Sequence, residues 1–309
     1  MMRSESKQPV SQRIPQGPEG VPDLSVIILT HNSRDLLARC LSSIRERTHA
    51  ARVELIVVDN DSNDGTAEMA AADFPEVRLL TCRDAFRFTV FNNRGLRESR
   101  GRYVLLLNDD TELKNDALDQ VVRYLDEHPD CGALGCKLLN SDLSVQYSCR
   151  RFPSFTTAFF SRYSILTRAI PANRFSTNYL MTDFDHNSTM EVDWVSGACL
   201  AARRSVLEQV GTLDEKIIYF NEDVDWCLRI RQAGWKVVYL HSAEVIHHIG
   251  ATRQRHPFRS NWTRHRSMFY FYRKHYSKDI LFMDAAVGLG ILARACLEMV
   301  GELAKGGKR

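Results

Sequence analysis

An α/β fold with a mostly parallel central sheet, followed by a helical C-terminal extension, is what this sequence predicts. Three observations lead there. Short apolar, β-branched runs alternate with stretches of helical apolar spacing from residue 24 to about residue 128. Strands alternating with helices make parallel neighbours joined by right-handed crossovers. Three of the apolar runs stop abruptly at acids, amides or hydroxyls, and open α/β sheets bind ligands at those strand ends.

The elements follow in chain order. Residues 24–29 read as a buried strand, closed by Thr30, His31 and Asn32. Ser33 is placed as the N-cap of a helix whose Leu36, Leu37, Cys40, Leu41 and Ile44 face the sheet. Residues 55–58 form the second strand, ending in Asp59, Asn60, Asp61 and Ser62, and Asn63-Asp64-Gly65 turn the chain into a helix over 66–72. A third strand covers 77–80, a short helix 92–100, and a fourth strand 103–107, which ends in Asn108, Asp109, Asp110 and Thr111. A helix over 115–128 follows. The stretch 141–191 has no readable topology. Patterning returns at Val192, with a helix at 204–210, another from about Glu222 to Ala233, and two short strands at 236–240 and 244–248.

The 309 residues are 44% hydrophobic and 26% charged, enough to bury a sizeable core. A net charge of +3 does not point to nucleic acid. The charge is unevenly spread, however. Residues 253–274 contain Arg253, Arg255, Arg259, Arg264, Arg266, Arg273 and Lys274 and no acid, a run suited to an anionic membrane surface or an acidic substrate. Eight cysteines form no C-x-x-C pair and sit mostly in apolar runs, which predicts free thiols in a reducing, cytoplasmic setting. Residues 1–22 are polar and rich in Pro, Gly and Gln, and read as a disordered leader. The longest apolar segment, 280–300, is interrupted by Asp284, Arg294 and Glu298, so it reads as a helix lying on a membrane or on the protein, not a span.

Three clusters carry chemistry. Adjacent carboxylates at Asp109 and Asp110 repel unless a cation joins them, and a hard divalent ion there can bridge the two phosphates of a diphosphate. Glu222, Asp223 and Asp225 crowd a helix start beyond what capping requires, which makes one of them a candidate general base. His247-His248 follows a strand and offers an imidazole to a metal.

Five segments together resemble the inverting family 2 glycosyltransferases of GT-A fold: LSVIILTHN (24–32), ELIVVDNDSNDGT (54–66), FNNRGLRESRGRYVLLLNDDT (91–111), WVSGACLAARRSVLEQVGTLDE (194–215) and FNEDVDWCLRIRQAGW (220–235). The resemblance covers 24–252 and implies a metal-dependent transfer of one sugar from a nucleotide-diphosphate donor, with inversion. It implies nucleoside contacts by Thr30, Asn32, Asp59 and Asp61 and a contact by Asn93 on the nucleotide side. Asp110, beside Asp109, resembles the metal-binding Asp of a D-x-D motif, here written Asn-Asp-Asp; Mn2+ or Mg2+ is the implied metal. Asp223 resembles the catalytic base, and His247 the metal-ligating His, with His248 left open. Residues 137–154 are similar to the rhamnosyltransferase-like branch, which implies dTDP-L-rhamnose, or a UDP-sugar in its place. The acceptor implied is a saccharide or polyprenyl-diphosphate-linked saccharide of cell-surface polysaccharide synthesis at the inner face of the plasma membrane.

The domain layout expected is therefore a leader over 1–22, a transferase domain over 23–252 and a basic, amphipathic helical extension over 253–309. Two other readings are weighed. A dinucleotide oxidoreductase would need a G-x-G-x-x-G turn after the first strand, where Thr30-His31-Asn32 stand instead. A non-catalytic nucleotide-sugar-binding scaffold would not need both Asp110 and Asp223.

Overall fold

The computed structural model describes residues 20–83, 87–153, 174–248 and 257–306. Strands β1 (Leu24–Thr30), β2 (Val53–Asn60), β3 (Val77–Cys82) and β4 (Tyr103–Asn108) make the parallel half of the sheet, ordered β3-β2-β1-β4. Every residue of β1 is buried, as its unbroken apolar run requires of a central parallel strand. Helices α1 (Arg34–Arg47), α2 (Thr66–Asp73) and α3 (Phe88–Glu98) cross between these strands. Leu37, Cys40, Leu41 and Ile44 of α1 are buried as expected, while Leu36 is half-buried. A Cβ on Gly95 would come 2.4 Å from Ile27, so α3 lies against β1 at a distance no larger residue allows.

Ser33 stands at the N-cap position of α1 but does not cap it. Its hydroxyl donates back to the His31 carbonyl, and the first free amide of the helix, on Arg34, is taken at 3.1 Å by Asp64 from the turn after β2. A carboxylate supplied from a neighbouring strand end outcompetes the local hydroxyl.

The second half of the sheet is mixed. It contains β5 (Thr111–Leu113), β6 (Cys131–Leu139), β7 (Val145–Gln146), β9 (Met190–Val192), β11 (Cys199–Arg203) and β12 (Lys236–His247), with β8 (Cys149–Arg150) and β10 (Trp194–Val195) paired separately. The order continues β4-β11-β6-β12-β5. β11 is antiparallel to both β4 and β6, and β12 is parallel to β6. The helices here are α4 (Ala117–Glu127), α5 (Arg174–Leu180), α6 (Arg204–Val210) and α7 (Glu222–Gln232).

Two features of this half depart from the expectation. β6 has no counterpart in the sequence pattern, because Gly132 and Gly135 break it. A Cβ at those positions would lie 2.5 Å from Trp235 and 2.6 Å from Val195, so the glycines are what close packing demands. The two short strands expected at 236–240 and 244–248 are one strand, with an irregularity between Leu240 and Glu244. Asn115 keeps the irregular stretch in register by donating to the Ser242 carbonyl and accepting from the Glu244 amide.

The chain ends in a hairpin of α8 (Pro257–His275) and α9 (Leu281–Gly306). Among the described residues no helix is long and apolar enough to cross a membrane. All eight cysteines are free, and seven are buried. The leader expected over 1–22 lies almost wholly outside the described residues, as do Arg253 and Arg255 of the basic run.

Candidate active site

The turns after β1 and β2 are stitched to each other. The Asn32 amide nitrogen donates to Ser62 Oγ at 2.9 Å, and Asn32 Oδ1 accepts from the Asn63 amide at 2.8 Å. Asn32 and Asp61 both adopt left-handed backbone, with φ of 51° and 53°, which Asn and Asp tolerate better than most residues. Asp59 is buried. Its Oδ2 accepts from the Ser62 amide, while its Oδ1 has no hydrogen-bond partner. A buried carboxylate oxygen without a donor is costly, so this atom is a ready acceptor for an incoming N–H. Asp61 is exposed beside it. Thr30 is buried and donates to Asp109 Oδ2 at 2.8 Å, which joins the first cluster to the third.

Asn93 sits differently from the expectation. Both hydrogens of its amide go to the Leu213 carbonyl and Glu215, and its oxygen accepts from the Leu213 amide. Its polar groups are committed to the 213–215 loop, so it positions that loop.

At the end of β4, burial and the adjacent Asp110 push the Asp109 carboxyl up to about 7, against the opposing hydrogen bonds from Thr30 and Ser33. Asp110 Oδ1 is buried with no hydrogen-bond donor and lies 3.2 Å from His247 Nε2. The tautomer of His247 follows from Gln146. That amide donates its hydrogens to Asn140 Oδ1 and the His247 carbonyl, so its oxygen is the acceptor facing His247 Nδ1 at 2.7 Å. Nδ1 therefore carries a proton, and Nε2 lies 3.2 Å from both Asp110 Oδ1 and the side-chain amide of Asn108. A carboxylate oxygen and an imidazole nitrogen this close are donor types that a divalent cation such as Mn2+ or Mg2+ accepts. The described residues gather no group of three or more His, Cys, Asp or Glu able to hold a metal. His248 is turned elsewhere, its ring between Glu112 at 2.9 Å and Ser141 at 2.8 Å.

The acids at the start of α7 lie in three environments. Phe220 and Asn221, immediately before the helix, both have left-handed backbone, with φ of 66° and 67°; in a bulky residue such as Phe this is strained. Glu222 is buried, one of its oxygens has no partner, and burial with the neighbouring Asp223 charge holds its carboxyl well above the usual range. Asp223 is half-buried and raised by desolvation, against the amides of Gly197 and Val224, which donate to its two oxygens at 3.0 and 2.8 Å, and against the charge of Arg150. Each oxygen keeps a lone pair. Asp225 is fully buried, yet desolvation is overcome by His275, Arg229 and Lys274, and the carboxyl falls to about 2.

The start of β11 binds the two acidic regions together. The Asn108 amide donates to the Ala198 carbonyl at 3.0 Å, and the adjacent Gly197 amide donates to Asp223. Gln146, Gly197 and Arg150 thus belong to the site although no sequence signal marked them. Gln146 and Arg150 lie on two-residue strands too short to show periodicity, and Gly197 acts through its backbone.

A parallel sheet whose strand-end turns converge on paired carboxylates, with a half-buried acid held across from them, defines a nucleotide-sugar-processing α/β protein. The chain belongs to the family described as Glycosyltransferase like family 2, which matches residues 22–273. It is 32% identical over 259 residues to the N-acetylglucosaminyl-diphospho-decaprenol L-rhamnosyltransferase of Mycobacterium tuberculosis, covering 80% of this chain and 83% of that protein. The rhamnosyltransferase WbbL of Escherichia coli is 26% identical over 148 residues, or 47% of this chain and 52% of that one. In fold it is similar to the mannosyltransferase PcManGT from Pyrobaculum calidifontis, solved with GDP-Man and Mn2+. The TM-score is 0.57 at 17% identity, over 98% of this chain and 84% of the other. The GT-A fold and glycosyltransferase class are thereby established, in a branch of polysaccharide synthesis whose relatives include rhamnosyltransferases.

Proposed function

We propose that this glycosyltransferase moves L-rhamnose from dTDP-L-rhamnose to a hydroxyl of a polyprenyl-diphosphate-linked saccharide, with inversion, at the inner face of the plasma membrane. The observation that carries the reading is the link through residues 197 and 198 between the Asn108–Asp110 turn and Asp223, which sets a proton acceptor against a diphosphate site. The decaprenol-linked rhamnosyltransferase similarity supports the donor and acceptor classes. The unpartnered Asp59 oxygen suits the N3–H of thymine or uracil, which cytosine lacks.

On this reading Thr30, Asn32, Asp59 and Asp61 shape the nucleoside site, and Asp109 braces the turn through Thr30. Asp110 and Nε2 of His247 would hold Mn2+ or Mg2+, whose chemistry is to offset charge on the departing diphosphate. The acceptor oxygen attacks the anomeric carbon while its proton passes to Asp223. The bond from that carbon to the diphosphate oxygen breaks with its electron pair on the oxygen. The new bond forms on the opposite face, so the configuration inverts and no sugar becomes bound to the protein. The transferase domain is taken as 23–252 and the helical extension as 253–309.

A thermal-shift screen of nucleotide sugars with and without Mn2+ or Mg2+, paired with a transfer assay, tests this. dTDP-L-rhamnose with metal is expected to give the largest stabilisation and to be consumed. A larger shift with a UDP-sugar overturns the donor assignment. Binding without transfer to any lipid-linked acceptor favours the scaffold reading.

A further inference from the structure

We propose that the α8–α9 hairpin docks on an anionic lipid bilayer, with α9 lying in the plane of the headgroups. The proposal deepens the lipid-linked acceptor reading and rests on it for its purpose. A helix on a protein surface ordinarily buries its apolar stripe and exposes its charges. Helix α9 does the reverse. Asp284 is buried against α8, where it is bound by Arg273, the Tyr272 hydroxyl and Ser277. Glu298 turns the same way, to Arg264, Asn261 and Arg294. Ala295 is fully buried on that face.

Among the described residues the outward face has no charged side chain. Every exposed residue between positions 281 and 301 is apolar or glycine. Leu281 is 83% exposed, Phe282 75% and Leu289 67%, and Leu292, Leu297 and Val300 continue the face. At 1.5 Å per residue it runs about 30 Å along the helix. Two of the interruptions that break 280–300 as a span, Asp284 and Glu298, therefore fasten α9 to α8, and Arg294 bonds Glu298 within α9.

The rim indicates what covers this face. Phe258 and Trp262 of α8 are exposed, and Asn261 between them reaches Glu298, which puts the aromatic pair beside the C-terminal part of α9. Arg259 and Arg266 are exposed and make no ion pair among the described residues. Both arginines lie about one helical turn from Trp262, and an exposed apolar helix beside a helix that carries an exposed indole and cations matches the boundary between acyl chains and anionic headgroups. Two copies docked through this face would leave Arg259 and Arg266 with no unpaired acid of the hairpin among the described residues.

The opposite side of α8 holds the base helix. Lys274 and His275 bond Asp225, and Ser267 donates to the Tyr219 carbonyl. Docking would therefore present Asp223 at a fixed height above the lipid, where a polyprenyl-linked hydroxyl arrives.

The test is flotation of the full-length chain with vesicles of phosphatidylglycerol and phosphatidylcholine, against phosphatidylcholine alone. Wild type is expected to float with the anionic vesicles at low salt. Leu289→Glu with Leu297→Glu should lose at least tenfold in partitioning, with unchanged circular dichroism. Arg259→Gln and Arg266→Gln should each lose roughly fivefold, the effect of one basic residue near an anionic surface. Transfer to a short, water-soluble acceptor analogue should match wild type in the leucine variant, while transfer to acceptor in vesicles falls. Absence of wild-type flotation, or unchanged flotation of the leucine variant, overturns the proposal. So does a wild-type dimer in sedimentation that the leucine variant dissolves, since a second copy then covers the face. If flotation behaves as expected but neither protein uses a lipid-linked acceptor, the acceptor reading fails and the docking stands.

Discussion

The turn after β4 and the start of α7 both crowd carboxylates together, and they relieve the crowding in opposite ways. At Asp109 and Asp110 the partners are a threonine hydroxyl, a serine hydroxyl and the His247 imidazole, and no Lys or Arg pairs with either acid among the described residues. At α7, Asp225 is bound by Arg229, Lys274 and His275, Glu222 is held toward its neutral form, and Asp223 is left between them with two backbone amides. On the function proposed above, the first arrangement leaves room for a mobile cation that arrives with a diphosphate. The second holds Asp225 ionised among its partners and Glu222 toward its protonated form, and leaves Asp223 half-buried with a lone pair free on each oxygen. The contrast implies that mutations in the two regions fail differently.

The largest effect expected is from Asp223→Asn, which keeps shape but cannot take a proton. Turnover should fall by roughly two or more orders of magnitude, the usual share of a positioned general base. Donor affinity should barely change, because the lost interaction belongs to the transition state. Paired turnover and calorimetric donor binding decide this. Near-normal turnover here, together with its loss in Asp225→Asn or Glu222→Gln, would assign the base to another acid.

Next in size is Asp110→Ala. Calorimetry should show that Mn2+ no longer strengthens donor binding, a loss of at least about tenfold, while the fold stays intact. Unchanged metal dependence would mean that the β4 turn does not hold the cation, and the contrast between the two regions would collapse.

How much of this was readable in the sequence follows the same divide. The parallel half, with Thr30, Asp59 and Asp110 at its strand ends, is legible because buried parallel strands are continuous apolar runs with abrupt polar stops. The mixed half is not. β6 is broken by glycines that Trp235 and Val195 require, and β7 and β8 are two residues long. Spacing alone leaves His247 and His248 equivalent; only the Gln146 amide, more than a hundred positions away, tells them apart. The resemblance gives Asn93 a contact on the nucleotide side, and its bonds to residues 213 and 215 are legible only in the fold. The basic run was legible as charge but not as division of labour. Arg264, Arg273 and Lys274 pair inward, and Arg259 and Arg266 face out.

A third expectation concerns Asp225→Asn. The folded carboxyl lies near 2, below its usual value, so its contribution is present above about pH 4 and lost as pH falls toward 2. At neutral pH the variant should be less stable by about 2 kcal/mol, the equivalent of that shift. Denaturant melts across pH should show the gap from wild type closing in acid. A gap that stays constant down to pH 2 would show that Asp225 is not ionised in the folded protein.

The smallest effect, and the most discriminating, is expected from Glu222→Gln. Glu222 is buried with an unpartnered oxygen beside Asp223, and its carboxyl is held well above the ordinary value. The native state therefore favours the protonated acid, which Gln imitates in size and charge. For a carboxyl raised by folding, the stabilisation is fully present below the unfolded value and is lost as pH rises through the folded one. Wild type and variant should match near pH 4, and the variant should become the more stable of the two as pH increases. Turnover at neutral pH should stay within about twofold, since a neutral neighbour leaves Asp223 as the proton acceptor. Thermal melts of both proteins over a pH series measure the trend directly. Were wild type instead to gain stability over the variant as pH rises, Glu222 would be ionised and paired in the folded state. The division of tasks among the three acids of α7 would then have to be redrawn.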